Sequence, residues 1–144
     1  MKRSTLRVLL VGILLSVTST AQKPNTKPLR DILSKQGFTG VLQGKVTFAH
    51  LGEMKCGSTM LHVYYYTWEE TNPPGRAIHF SQRLIFIENG NYLGQYVISH
   101  RPVLVKPDRL VFPVSDQDRN SLKCDRDGLP KSANLDGASV DLFR

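Results

Sequence analysis

The sequence lacks the short motifs that mark several enzyme classes. It contains no His-Glu-x-x-His, no Gly-x-Ser-x-Gly and no Cys-x-x-Cys. These absences exclude a motif-based assignment to the zinc proteases, to the hydrolases with a nucleophile elbow and to the thioredoxin-like redox proteins. No block of about five or six like charges occurs. The apolar run at residues 8–17 has about half the length of a membrane-spanning helix.

The first 21 residues have the layout of a secretory signal. Three basic residues precede the apolar run, and small residues follow it as far as Ala21. We therefore expect residues 1–21 to be a signal peptide that is cleaved between Ala21 and Gln22. The protein is then exported, either periplasmic or secreted, and has no membrane span after cleavage.

What remains after cleavage has the size of one domain. We expect residues 22–27 to be a flexible lead-in and residues 28–144 to be a single β-rich domain. Removing the three positive charges of the signal lowers the formal net charge from +7 to +4. Since the remaining basic residues are scattered, the sequence does not predict a nucleic-acid partner.

The sequence has two cysteines, Cys56 and Cys124. Two thiols in one small domain of an oxidising compartment usually pair. We therefore predict a disulfide between them.

The elements read from the sequence indicate a mainly β, α+β fold. A short helix is predicted over 28–37, because its apolar residues share one face and Gly37 is a good stop. Strands are predicted over 41–50, 61–69, 77–88, 92–99, 103–105, 110–114 and 140–143. Asn89-Gly90 predicts a tight hairpin, and Lys106 to Arg109 a second one. Residues 115–137 are predicted to be a long ordered loop. The expected architecture is an antiparallel sheet or a small open barrel with one short N-terminal helix.

The aromatic strand at 61–69 supplies the first candidate site. Alternation places four side chains on one face, which are His62, Tyr64, Tyr66 and Trp68. An exposed face of this kind would bind a protein or a glycan, since tyrosine and tryptophan combine apolar area with a polar group. The other interpretation is that the face packs under the helix.

Histidines and acidic residues supply two weaker candidates. His62 and His79 would be neighbours if their strands pair, and with acidic neighbours they would form a small hydrolase site. Asp116, Asp118 and Asn120 occupy alternate positions, as in a calcium loop, and Asp127 falls at the twelfth position. The sixth position is Ser121 rather than glycine, so a turn-rich loop without an ion is the alternative.

One partial resemblance adds no activity. Residues 32–41, followed by residues 46–51, resemble the lead-in of exported retropepsin-like proteases. That family needs an Asp-Thr-Gly or Asp-Ser-Gly turn, and the nearest stretches here begin at Asp31 and Asp136 without matching it. The resemblance therefore implies no protease activity.

Together these observations favour a small exported, non-catalytic binding protein. Its partner is expected to be a protein or a glycan of the cell envelope, and no cofactor is predicted. The alternatives are the small hydrolase and a calcium-steadied envelope protein. The sequence by itself assigns neither a ligand nor an oligomeric state.

Overall fold

A computed structural model describes residues 27–70, 79–102, 104–113, 121–135 and 137–144. The predicted signal peptide at 1–21 and residues 22–26 of the predicted lead-in lie outside the described residues. Within the described ranges the elements are α1 (Lys27–Lys35), β1 (Lys45–Cys56), β2 (Thr59–Glu70), β3 (His79–Glu88), β4 (Asn91–Val97), β5 (Leu104–Lys106), β6 (Arg109–Val111), β7 (Ser121–Leu122), β8 (Ser132–Leu135) and β9 (Ala138–Asp141).

The first four strands form one antiparallel sheet in the order β1-β2-β3-β4. β3 and β4 meet at the predicted Asn-Gly turn, where Asn89 and Gly90 have φ of 49° and 78°. Positive φ at both positions fits a tight hairpin, and glycine adopts it at no steric cost. Within the described residues the sheets stay open and do not close into a barrel, which confirms the predicted antiparallel β fold with a short helix.

The sheet lies between two layers. On one face, Leu29 and Leu33 of α1 pack on a cluster that includes Tyr66, Ile85 and Tyr92. The spacing of the two leucines puts them on one side of the helix, as the sequence predicted. We call this side of the sheet the helix-side face.

The opposite face carries the larger core. Leu61, Val63 and Leu84 from the sheet are fully buried there, against Leu110 and Leu122 from the C-terminal strands. Those strands form a three-stranded sheet, β5-β6-β7, and a β8-β9 pair. The predicted Lys106-to-Arg109 hairpin joins β5 to β6.

The prediction of a loop over 115–137 needs correction. The described part of that segment contains β7 and β8, and Leu122 and Leu135 are almost fully buried. Each strand is short and buries a single apolar side chain among polar ones, so neither produces the alternation by which strands are recognised. The last strand, β9, begins at Ala138, two residues before the predicted start.

The predicted disulfide is confirmed. Cys56, at the end of β1, is bonded to Cys124 after β7, with the two Cα atoms 5.3 Å apart. The bridge ties the four-stranded sheet to the C-terminal layer and is consistent with an oxidising compartment. In the chain-entropy model a loop of this length stabilises the fold by roughly 4 kcal/mol.

None of the helices in the described ranges is both long and apolar enough to cross a membrane.

Candidate functional site

The middle of the aromatic face of β2 is covered. Tyr66 is fully buried, and its hydroxyl donates a hydrogen bond to the carbonyl oxygen of Val41 at 2.8 Å. Its ring contacts Phe38 and Phe48, with centroids 5.4 and 5.5 Å away. Burial raises the pKa of Tyr66, and the Arg83 guanidinium opposes that shift. Of the two interpretations of this face, the one in which the helix layer covers it holds at Tyr66.

The ends of the same face remain partly open. Trp68 is half-buried at one end, beside Val46 of β1 and Ser81 of β3. His62 and Tyr64 are half-buried at the other end. The four predicted residues therefore divide into one core residue and three that solvent still reaches.

An irregularity in β1 brings one further residue to the His62 end. His50 lies opposite Tyr64, but the next paired residue of β1 is Gly52, so Leu51 is an extra residue. Such a bulge reverses the alternation of side chains beyond it. Gly52 has φ of 139°, a conformation that favours glycine.

The bulge completes a compact polar group by adding Glu53 to it. Glu53 moves to the helix-side face, directly opposite His62, and its Oε1 lies 3.3 Å from Nδ1 of that histidine. The His50 ring is 5.0 Å from the Tyr64 ring and 5.7 Å from the His62 ring, measured between centroids. We call this group of His50, Glu53, His62 and Tyr64 the histidine rim.

The rim combines several recognition chemistries in a small area. The Glu53 carboxylate lies beside Nδ1 of the His62 ring, and both side chains remain partly exposed to solvent. Tyr64 contributes a phenol hydroxyl, and burial raises the pKa of that phenol. Within the described residues, no three His, Cys, Asp or Glu side chains converge in a way that would hold a metal ion.

The register separates the two histidines of the hydrolase hypothesis. β2 and β3 do pair, but His62 lies opposite Ile87, whereas His79 lies opposite Glu70. Eight residues of β2 separate these positions, which corresponds to about 26 Å along the strand. In an antiparallel pair, the end of one strand lies opposite the start of the next. His79 starts β3 and therefore lies opposite the end of β2, whereas His62 lies near the start of β2.

Most of the calcium hypothesis falls outside the described residues. Asp116, Asp118 and Asn120 are not described, and Asp127 is. The backbone N–H of Asp127 donates to Oδ1 of Asp125 at 2.8 Å, which is the local hydrogen bond of an Asx turn. The calcium site stays a prediction.

A cleft of about 300 Å³ opens beside the disulfide. Four leucines line it together with the bridge, and Glu88, Asp127 and Arg144 bring charged groups to it. The cleft lies on the opposite side of the sheet from α1.

Reasoning from the sequence missed His50 and Glu53 as members of the site. Alternation along an unbroken strand puts residues 50 and 53 on opposite faces, so the sequence pattern predicts no common site for them. The available signal was Gly52 inside a strand, because an isolated glycine in a strand pattern often marks a bulge.

Comparisons with protein-family models, with curated proteins and with solved structures found no match to this chain.

Proposed function

We propose that this chain is an exported, non-catalytic binding protein, periplasmic or secreted, that recognises a protein of the cell envelope through the histidine rim. The observation that carries the proposal is the convergence of His50, Glu53, His62 and Tyr64 at an open end of the helix-side face. Export is supported by the signal-like residues 1–21 and by the disulfide.

The rim has the composition of a contact surface rather than of a core. Its tyrosine and histidines present apolar ring area together with polar tips, a combination that is favoured where a surface is wet when free and buried when bound. Both members of the Glu53–His62 contact keep side-chain exposures of 48% and 42%. At such exposure an ion pair contributes little to folding, so stability alone does not account for the arrangement.

The position of the rim on an edge strand favours a protein partner over a glycan. β1 is the outer strand of its sheet, and His50 lies within it. Near the strand end, the Lys55 N–H donates to the Pro107 carbonyl oxygen at 2.6 Å. Along residues 47–51, no strand in the described part of the chain is hydrogen-bonded to the outer side. An extended segment of a partner can add there as a further strand, with its side chains against the rim.

A binding experiment with matched variants tests this role. Mature protein is immobilised and incubated with a solubilised envelope extract, beside a His50→Gln/His62→Gln double variant and a His100→Gln control whose histidine lies outside the rim. We expect the double variant to lose the captured partner by about tenfold or more, and the control to retain it. Capture that is the same for all three proteins contradicts the role of the rim.

Treatment of the extract separates the two classes of partner. Protease treatment should abolish the captured signal, whereas periodate oxidation of sugars should leave it unchanged. The reverse pattern means that the partner is a glycan, and the protein-partner proposal then fails although the binding role stands.

Export is tested by cell fractionation and by sequencing the mature N-terminus. We expect the protein outside the cytoplasm, beginning at Gln22. Full-length protein in the cytoplasm would contradict the predicted export. It would also remove the oxidising compartment as the reason for expecting a disulfide.

The Glu53–His62 contact also supports the second candidate function, a small hydrolase. A carboxylate that holds one ring nitrogen leaves the other able to accept a proton from water or a hydroxyl. Chromogenic esters and phosphate esters provide the test. Turnover that is lost in His62→Gln but kept in His100→Gln would favour hydrolysis over binding, and no turnover with either ester class would count against it.

A further inference from the structure

A second polar group lies on the helix-side face around Arg83 of β3. Its Nε donates to the Ser81 hydroxyl at 3.2 Å. Its Nη1 donates to Oε1 of Gln95 at 2.9 Å and, more weakly, to the Thr39 hydroxyl at 3.5 Å. None of these partners carries a charge.

The guanidinium is enclosed by rings rather than by carboxylates. The Arg83 Cζ atom lies 5.7 to 5.8 Å from the ring centroids of Phe38, Tyr66 and Phe143. Among the described residues, no Asp or Glu side chain comes within ion-pair distance of it. A half-buried guanidinium is normally compensated, because removing a charge from water is costly.

Hydrogen-bond donors outnumber acceptors around this arginine. Gln95 is fully buried, and while its Oε1 accepts from Arg83, its Nε2 donates to the Thr39 hydroxyl at 3.0 Å. The Thr39 oxygen therefore accepts twice. Nη2 of Arg83 and the hydroxyl proton of Thr39 donate to no acceptor in the described ranges.

Tyr92 adds a buried donor to the same face. The pairing of β4 skips Leu93, and this bulge places Tyr92 and Gln95 on one face although they are three residues apart. The Tyr92 hydroxyl is buried and has no hydrogen-bond partner among the described residues. Its ring meets that of Phe38, with centroids 5.9 Å apart.

The Tyr92 hydroxyl is held in its protonated form. Burial raises the pKa of Tyr92 to about 12, while the positive charges of Arg83 and Arg144 act in the opposite direction. The hydroxyl is therefore a neutral donor, and the Tyr92 ring and the Arg83 guanidinium both lie beside the Phe38 ring on the helix-side face.

We propose that Arg83, Thr39 and Tyr92 form a binding site for an oxyanion, which is a carboxylate or a phosphate- or sulfate-type group of a ligand. The anion supplies the charge and the acceptors that this group lacks, and the planar guanidinium is suited to bind it through paired hydrogen bonds. Because Thr39 is exposed and Arg83 is half-buried, an anion reaches the guanidinium from the side of Thr39. The site is independent of the partner proposed for the histidine rim.

Titration of the mature protein with simple anions tests the site. Sodium sulfate, sodium phosphate and sodium acetate are compared with sodium chloride at constant ionic strength. The readouts are the melting temperature and the NMR signals of the Arg83 Nε–H and the Gln95 side-chain amide. We expect saturable shifts with at least one oxyanion. Preference for acetate identifies a carboxylate site, and preference for sulfate or phosphate identifies a tetrahedral-anion site.

Three variants make the test specific. Arg83→Gln should abolish the saturable response, and Tyr92→Phe should weaken anion affinity by about fivefold. Arg101→Gln, which changes an arginine stacked on Tyr65, is the control and should keep the wild-type response.

Tyr92→Phe also separates binding from a structural role. Since it removes a buried hydroxyl without a partner, its melting temperature without anion should be equal to or above that of the wild type. It also keeps the proposal testable if Arg83→Gln does not fold. The proposal is overturned if no oxyanion gives a saturable response, or if Tyr92→Phe binds as tightly as the wild type.

Discussion

Oε1 of Glu53 lies 3.3 Å from Nδ1 of His62, on neighbouring strands, because the bulge at Leu51 turns the Glu53 side chain to the helix-side face. Without that extra residue, Glu53 and His50 would point to opposite sides of β1. The inserted residue therefore adds the carboxylate to a face that His50, His62 and Tyr64 already share.

The Glu53–His62 contact should matter for recognition and hardly at all for folding. Glu53→Gln keeps the side-chain shape and removes the charge, so the free energy of unfolding should change by less than about 1 kcal/mol. Urea denaturation measures this, and Lys45→Gln, which breaks the Lys45–Glu69 surface pair, is the matched control. A loss of several kcal/mol for Glu53→Gln would show that the rim is part of the core.

Tyr66 should behave as a core residue, unlike its neighbour Tyr64. Tyr66→Phe removes the hydrogen bond to the Val41 carbonyl and should lower the free energy of unfolding by about 1 kcal/mol. Tyr66→Ala also leaves a cavity and should cost about 3–5 kcal/mol. Tyr64→Phe is the control and should be nearly neutral, because Tyr64 is half-buried at the rim. Equal losses for Tyr64→Phe and Tyr66→Phe would contradict this division of the face.

The bulge in β1 should depend on Gly52. With φ of 139°, this residue has a conformation that alanine adopts only under strain, so Gly52→Ala should lower the free energy of unfolding by about 1–3 kcal/mol. Thr47→Ala, an exposed position on the same strand, should change it by about 0.5 kcal/mol or less. Chemical denaturation compares the two. A neutral Gly52→Ala would mean that the bulge forms without this conformation.

Alkaline pH should destabilise the fold through Tyr92. Its pKa rises from 10.0 to about 12 on folding, so the folded state favours the protonated phenol. The stabilisation is complete below pH 10, where both states are protonated, and is lost as the pH rises from 10 towards 12. Within that window the loss approaches about 1.4 kcal/mol per pH unit.

Urea denaturation across that window measures the effect, with Tyr92→Phe as the control. The variant should lose less stability than the wild type on going above pH 10. Identical pH dependence for the two proteins would mean that Tyr92 does not titrate on unfolding.

Much of the fold could be predicted because its signals are local. The Asn89-Gly90 turn, the apolar face of α1 and the alternation of Leu61 and Val63 each depend on neighbouring residues. The disulfide followed from the cysteine count and the expected compartment. The strands of Leu122 and Leu135 were not predicted, because a strand that buries only one side chain shows no alternation of apolar and polar residues.

The sequence by itself determined the signal-like start, the pairing of Cys56 with Cys124, the helix α1 and the antiparallel hairpins, since composition and short-range patterns suffice for these. Only the tertiary structure decided which side chains meet. Strand register separated His62 from His79, and the layer of α1 buried Tyr66. Two bulges brought Glu53 to His62 and Gln95 to the face of Tyr92. Such contacts depend on one-residue shifts between neighbouring strands, and a one-residue shift moves a side chain to the other face of a sheet.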